Sequence, residues 1–498
     1  MALAKVCGLE TEYGITVVGA ENNPVAASGL LINAYMEHIG RSTGFDASEE
    51  HPEFDARQIH EPSVLHLDPD PDLDLLPVNT MLVNGSRYYV DHAHPELSTP
   101  EVRSAFEALR WDRAGEEIVR RSMEAARSML PAGAEIIVHK NNSDGKGNSY
   151  GCHENYLIAR EIPFGRVVSG IMSHFVSRQV FCGSGKVGCE QPGAAYDSVA
   201  FQISQRADFF EEEVGLETTV RRPIVNTRDE PHCDPERFRR LHVIAGDANM
   251  SETATFMKVA TTAMVLAAIE DGAAGAIPML AHPVRAIRTI SHDPSLRATV
   301  ELIDGSMVTA LDLQWKIFEV ADEWFHRHGG EAVGEDVAEH ALAQWQSLLE
   351  GLGSNRELVA DRVDWVAKER LITAYAERHG LEPTAPRLRA IDLQYHDLRP
   401  GRCLADRVGL QRLTTDDEIA AAVHQPPEST RAYFRGRCLE KFADDVIAAN
   451  WDSIVLDTGS DPLRRISMPE PLRGTADLVA NVIDASSTAA ELVQRLGS

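Results

Sequence analysis

Hydrophobic and polar positions alternate most cleanly near the amino terminus. In Val6–Ile15, Cys7, Leu9, Tyr13 and Ile15 fall on one side of an extended chain while Glu10 and Glu12 fall on the other, which predicts a strand with one buried face. A second such run follows the turn signal Asn84-Gly85: Arg87, Tyr89 and Asp91 share one face, Tyr88 and Val90 the other. Pro95 is expected to end that ladder and leave Glu96 on a turn, with Thr99-Pro100 as the N-cap and first position of a helix to about Leu130. Further strands are predicted over Glu135–Lys140, Phe201–Arg206, Glu217–Asn226, Arg239–Gly246 and Trp451–Asp457. Helical spacing marks Ser251–Ile269, Leu311–His326, Val337–Leu352 and Val363–Gly380, and Asp304-Gly305 marks a hairpin between Ala298 and Thr309. This order predicts an α/β chain of the α+β type, with a large domain over 1–425 and, beyond Pro426-Pro427, a small α/β domain over 426–498.

One segment follows neither period. Arg41–Thr80 holds ten carboxylates between Asp46 and Asp74, including the run Asp-Pro-Asp-Pro-Asp-Leu-Asp, and is expected to be a mobile acidic loop over 41–80. Its place directly before the Arg87–Asp91 strand fits a lid over a site, and equally a tolerated surface insertion.

Charge narrows the partners. With 48 Lys and Arg against 76 Asp and Glu the formal charge is −28, which argues against binding nucleic acid or an anionic membrane by bulk electrostatics. A local basic groove is still available from the mid-chain arginines Arg206, Arg221, Arg222, Arg228, Arg237, Arg239 and Arg240. The chain reaches Glu10 and Glu12 before any continuous apolar run, so no signal peptide is expected, and the apolar helix near Phe256–Ile269 is too short to span a bilayer. Seven cysteines without a C-x-x-C pair point to reduced thiols and the cytoplasm.

The candidate chemistry sits on the two polar strand faces. Glu10 and Glu12 repel each other unless a cation or arginine lies between them, and oxygen ligands of this kind suit Mg²⁺ or Mn²⁺ better than zinc. Arg87, Tyr89 and Asp91, spaced ~7 Å apart, can converge on one ligand. Arg206 and Arg228 stand near strand ends, where guanidinium forks match carboxylates and phosphates. A lone histidine on such a strand is more often structural than catalytic, so His242 alone carries little weight. Gly145-Lys146-Gly147 lacks the spacing of a nucleotide-binding P-loop.

Five motifs together resemble a known family: Gly8-Leu-Glu-Thr-Glu-Tyr-Gly14, Arg87-Tyr-Tyr-Val-Asp-His-Ala-His-Pro-Glu96, Ser149-Tyr-Gly-Cys-His-Glu-Asn-Tyr156, Asn226-Thr-Arg-Asp-Glu230 and Thr430-Arg-Ala-Tyr-Phe-Arg-Gly436. They are similar to the carboxylate-amine ligase relatives of glutamine synthetase that act on Pup, over nearly the whole chain. The resemblance implies a glutamine synthetase-like domain, its twisted and mainly antiparallel sheet packed on helices. That family holds a ligase, which joins Pup to lysines through a γ-glutamyl phosphate, and a hydrolase, which deamidates the C-terminal glutamine of Pup and cleaves the isopeptide bond to lysine. Asp91-His-Ala-His and the acidic insertion resemble the hydrolase branch; the alternatives are the ligase and a silent nucleotide- and Pup-binding protein. The implied cofactors are ATP, without net consumption, and Mg²⁺, and the implied partners are Pup and pupylated proteins. Carried over by motif, Glu10, Tyr89 and Glu96 are metal positions, Arg87, Thr99 and Trp451 hold ATP, and Asp91 is catalytic, as base, as nucleophile, or alongside bound phosphate. Arg206, Arg228 and His242 are the expected substrate contacts. Leu97 departs from the tyrosine that relatives often carry.

Overall fold

In the computed structural model, residues 1–41, 43–48, 50–57, 78–459 and 461–497 are described. The amino-terminal alternation forms β1 (Cys7–Glu12), whose odd-numbered residues are buried. The strand does not run on to Ile15 in one sheet. At Tyr13 the chain crosses to β2 (Gly14–Val18), which pairs with Glu135–His139 rather than with the neighbours of β1. Gly14 makes the crossing because a side chain there would overlap the Tyr150 hydroxyl and the Asn141 carboxamide.

Around β1 the chain builds a seven-stranded sheet. In chain order its other members are β3 (Thr43–Gly44), β4 (Asn79–Met81), β5 (Arg87–Asp91), β6 (His94–Ser98), then, after Glu135–His139 (β7, outside this sheet), β8 (Cys152–Ala159) and β9 (Phe238–Gly246). The spatial order is β9-β8-β1-β6-β5-β4-β3, and every pair is antiparallel. One face packs on helices α1 (Pro24–Ile39) and α2 (Ala105–Ala126), with Leu9, Tyr88, Leu97, Leu31 and Leu109 in a common core. The helix Glu252–Glu270, apolar on all sides, runs through that core; it is long and apolar enough to cross a membrane, but its apolar window is wholly buried in the protein, as a core helix is.

The helices Ala310–His328, Glu335–Ser354 and Asp364–His379 match their expected positions to within a few residues, and the hairpin Thr299–Glu301/Met307–Thr309 turns at Asp304-Gly305. Other expectations need correcting. Pro95 does not end the ladder but sits inside β6, opposite Val90. Val90 turns its N–H away to the carbonyl of Val78 (3.0 Å), and Pro95 accepts from the Tyr13 N–H (3.0 Å), so this pair needs no donor from Pro95. Glu96 is therefore on a strand. Thr99-Pro100 does not start a helix either: Thr99 and Val102 continue extended against Leu9 and Cys7, and α2 begins after Ser104, whose hydroxyl accepts from the Glu107 N–H. The stretch Phe201–Arg206 is a strand only over Phe201–Gln202, Glu217–Asn226 only over Pro223–Asn226, and Trp451–Asp457 only over Ser453–Leu456.

The acidic segment is described only in part. Residues 58–77 lie outside the described residues, and with them the lid reading. The described residues before them have partners elsewhere: Asp46 bonds Arg465 (2.8 Å), Glu50 bonds Arg87 (2.8 Å), and the Asp55 backbone pairs with that of Arg228 in an isolated antiparallel bridge. Specific partners far along the chain supply the order that local periodicity lacks.

The last seventy residues form a three-stranded antiparallel sheet and short helices around a separate core of Phe434, Leu439, Ile454, Leu456 and Ile483, which also takes in Phe45 and Met81 from the front of the chain. The helix Ala432–Lys441 approaches the large sheet through Gly436, where a Cβ would run into the Val83 carbonyl and the Pro426 ring. Backbone cannot yield as a flexible side chain does. Gly436→Ala should therefore destabilise the protein by ~1–3 kcal/mol, read as a lower midpoint in chemical denaturation with an unchanged slope.

Candidate active site

Sheet register decides which polar groups meet. Glu12 pairs with Glu96 across β1 and β6, Tyr89 pairs with Glu96 across β5 and β6, and Glu10 pairs with His153 across β1 and β8. All point to the face away from α2 and line a cleft of about 810 Å³, wide enough for the end of a peptide. Ligand atoms of Glu12, Asp91 and Glu96 lie within 4.8 Å of one another, as do those of Glu10, His153 and His242. Gly151 lets the His153 ring lie in this position, since a Cβ there would occupy the ring.

Electrostatics separates these carboxylates. Burial pushes the Glu96 carboxyl well above its usual range, and the charges of Glu12, Asp91 and Glu10 add to that. Burial also opposes ionisation of Glu10, but the hydrogen bond to His153, the neighbouring His242 and the Arg240 guanidinium (3.7 Å) outweigh it and hold Glu10 well below. Asp91 is raised by burial and lowered more strongly by the hydrogen bond from His92 (2.7 Å) and by the charges of His92 and His153, so it is ionised. His92 takes a left-handed backbone (φ 51°), a conformation costly for a residue with a Cβ, at the mouth of the cleft. Tyr89 is pushed well up, by burial first, and stays a neutral phenol beside Glu96. Three converging carboxylates, one of them forced toward its neutral form, are a donor set for a hard divalent cation.

Opposite the carboxylates stand arginines. Arg206 is fully buried at the cleft wall, and its Nε and Nη1 have no hydrogen-bond partner among the described residues. Arg222 and Arg228 line the same cleft, and the Arg228 Nε is likewise without a partner. His242 also lines the cleft, on the side of Glu10 and His153. Its Nδ1 lies 3.0 Å from Asn155 Oδ1, and Asn155 donates to Glu10 (2.7 Å).

Behind Glu10 lies a second cavity, lined among others by Gly8, Thr99, Tyr156, Arg240, Arg431 and Trp451. Thr99 and Trp451, expected to hold nucleotide, meet here. Arg87 does not line it: its guanidinium bonds Glu50 and Asn79 and stacks on Phe45 (3.8 Å), which in turn touches Trp451 edge-on. Glu10 borders both cavities.

A family model described as Pup-ligase protein matches residues 5–455. The chain belongs to the Pup-ligase family. Within that family, the depupylase of Acidothermus cellulolyticus is 47% identical, over 99% of both chains, and the Pup deamidase/depupylase of Mycobacterium tuberculosis is 43% identical over the same share. The Pup–protein ligase of Nakamurella multipartita is 41% identical over 82% of this chain and 90% of its own. Among solved structures, the complex of Pup with its ligase PafA superposes with a TM-score of 0.80, at 31% identity, over 99% of this chain and 94% of that one. The ADP complex of PafA superposes with a TM-score of 0.73, at 35% identity, over 82% of this chain and 89% of that one. The fold is thus the Pup-ligase form of the glutamine synthetase-like architecture.

Sequence reading missed several groups that line this cleft. Glu12 was visible as half of a carboxylate pair, but its partnership with Glu96 is a matter of register. His153 alternates with Asn155 on β8, a signal for a shared face that does not say which face. Arg222 stood among seven arginines with nothing to single it out. Arg240 reaches Glu10 only because β9 lies beside β8.

Proposed function

We propose that this chain is an amidohydrolase that converts the C-terminal glutamine of Pup to glutamate and cleaves the isopeptide bond between Pup and substrate lysines. The carrying observation is that its full-length similarity runs to depupylases, at 47% and 43% identity, whereas the ligase matches 82% of the chain. The site agrees: Asp91, held ionised, faces a cleft in which Arg206 Nε and Nη1 and Arg228 Nε lack hydrogen-bond partners among the described residues.

The residues present fit Mg²⁺ and a nucleotide. Glu12, Asp91 and Glu96 form an oxygen set whose mutual repulsion a divalent cation would relieve, and Glu10 and Tyr89 stand beside it. The second cavity offers the Trp451 ring, the Thr99 backbone and the arginines Arg240 and Arg431, a set suited to a base and phosphates. When bound, the metal would polarise the scissile carbonyl and hold the phosphates. The chain's own part is described by its charges. Asp91 supplies an anionic oxygen that takes a proton from water or attacks the carbonyl carbon; both routes need it ionised, and the His92 hydrogen bond keeps it so. Arg206 and Arg228 present N–H groups to the carboxylates at the end of the substrate, and Arg222 adds positive potential. The small unit over 426–498 contributes Trp451. Seven buried cysteines, none in a disulfide, suit a reducing cytoplasm.

The decisive experiment incubates glutamine-ended Pup with the protein and Mg-ATP and reads the product by mass spectrometry. Amide-to-acid conversion at constant ATP is expected; conjugation with ATP turnover would identify a ligase, and no change a silent binder. Glu96→Gln should cut Mg²⁺ affinity on the order of 10–100-fold while raising the melting temperature measured in EDTA, because it removes both a ligand and a repelling charge. Titrations of Mg²⁺-dependent melting would check both signs.

A further inference from the structure

Away from the cleft, three metal-ligating side chains from remote segments converge. Cys189, Asp208 and His292 offer ligand atoms within 4.8 Å of one another. Cys189 follows the short strand Lys186–Val187, Asp208 lies two residues past Arg206, and His292 closes the helix Pro283–Ser291. Cys189 and Asp208 are buried, and the His292 side chain keeps 22% of its surface exposed. The function proposed above uses none of the three.

The surroundings are arranged around the ligand atoms. Asp208 Oδ2 accepts from the Glu190 N–H (2.7 Å) and from Gln202 (2.8 Å), which fixes the carboxylate and turns Oδ1 toward His292 Nε2 at 2.7 Å. Cys189 Sγ accepts from the Gln191 N–H at 3.4 Å, a contact that orients the sulfur. Lys186 stands 3.8 Å from Asp208 and pairs with Glu190 at 2.6 Å, so its charge is already matched. His292 and Gln191 also line a separate cavity of about 550 Å³, which gives the cluster an entry path and a place for a solvent ligand.

We propose that Cys189, Asp208 and His292 bind a zinc ion, with water from this cavity as the fourth ligand. The donor set decides the metal: thiolate and imidazole select zinc, and Mg²⁺, which the all-oxygen cluster of the cleft suits, does not take sulfur. Zinc would sit where the His292–Asp208 hydrogen bond now runs. Ligands each about 2.0–2.2 Å from a tetrahedral metal lie roughly 3.3 Å apart, so the two atoms need part by well under 1 Å, within reach of a histidine at a helix end. The consequence is mechanical. The ion would fasten the turn that carries both Asp208 and Arg206, and so fix how Arg206 enters the cleft.

The test uses the full-length protein dialysed against EDTA and titrated with Co²⁺, then with Zn²⁺. One equivalent of Co²⁺ should produce a thiolate-to-cobalt charge-transfer band that Zn²⁺ abolishes, since the carboxylates and histidines of the cleft contribute no sulfur. Cys189→Ser should remove the band, and His292→Gln, which keeps the thiol and the fold, should weaken zinc binding at least about tenfold. Absence of the band in the native protein, or a band undiminished in either variant, would overturn the proposal and leave an Asp208–His292 ion pair only.

Discussion

Asp91→Asn is expected to lower Pup deamidation by on the order of 10²–10⁴-fold, the range lost with a proton-transferring group, while Mg-nucleotide binding persists. The reasoning is electrostatic. The carboxamide keeps the shape of the side chain on β5 and its contact with His92, but it neither accepts a proton at neutral pH nor attacks a carbonyl. Asp91 also adds to the negative potential that raises Glu96. Its neutralisation therefore eases ionisation of Glu96, so the metal set loses one oxygen and gains a better one. Single-turnover deamidation together with nucleotide titration in Mg²⁺ would resolve the two effects. A variant that turns over within a few-fold of the native protein would remove Asp91 from the chemistry.

Glu101→Gln is expected to cost about 3–5 kcal/mol of stability and to loosen the small C-terminal unit first. Glu101 accepts from Arg431 (2.8 Å) and from both Nη atoms of Arg435 (3.0 and 2.6 Å), and Arg435 is wholly buried. Those arginines also hold the carbonyls of Met468, His232, Trp451 and Gly85, so this one carboxylate organises the seam between the two cores. Burial opposes its ionisation, but the charges and hydrogen bonds of Arg435 and Arg431 prevail and hold the Glu101 carboxyl at about 2, against an ordinary 4.5. A depressed carboxyl stabilises the fold in full above its unfolded value. That contribution, roughly 3 kcal/mol for such a shift, drains away as pH falls from about 4.5 toward 2. Denaturation midpoints across that window should slope steeply in the native protein and weakly in the glutamine variant. Equal slopes would show that Glu101 is not the group responsible. Because Trp451 hangs from the same arginine, nucleotide affinity should fall with stability.

What could be read in advance follows from the range of each interaction. The alternation in β1 was legible because one of its faces packs on a continuous core, and the long helices because their apolar stripe repeats locally. Asp91 and Glu10 were legible as residue types on polar strand faces, and Glu96 only as a carboxylate expected on a turn. Their company was not. Whether Glu12 or Glu10 meets Glu96 depends on register across β1 and β6, which residues eighty positions apart set together. The expected break at Pro95 failed for a related reason: a missing N–H matters only on the side where the ladder needs it, and Val90 had turned its own donor to Val78. The described residues of 43–48 and 50–57 are held by the charges of Arg87 and Arg465 and by backbone pairing of Asp55 with Arg228, partners that no local period could announce.

Glu10 belongs to the walls of both cavities, and this gives the enzyme a thermodynamic linkage. A ligand that stabilises one position or charge state of that carboxylate from the rear cavity changes the affinity of whatever binds in front. By reciprocity, a substrate seated in the cleft changes the affinity behind it by the same factor. The rear ligand need not be chemically altered for this to operate. A nucleotide retained through many turnovers would then act as a standing allosteric partner, setting the poise of the cleft from behind a single side chain.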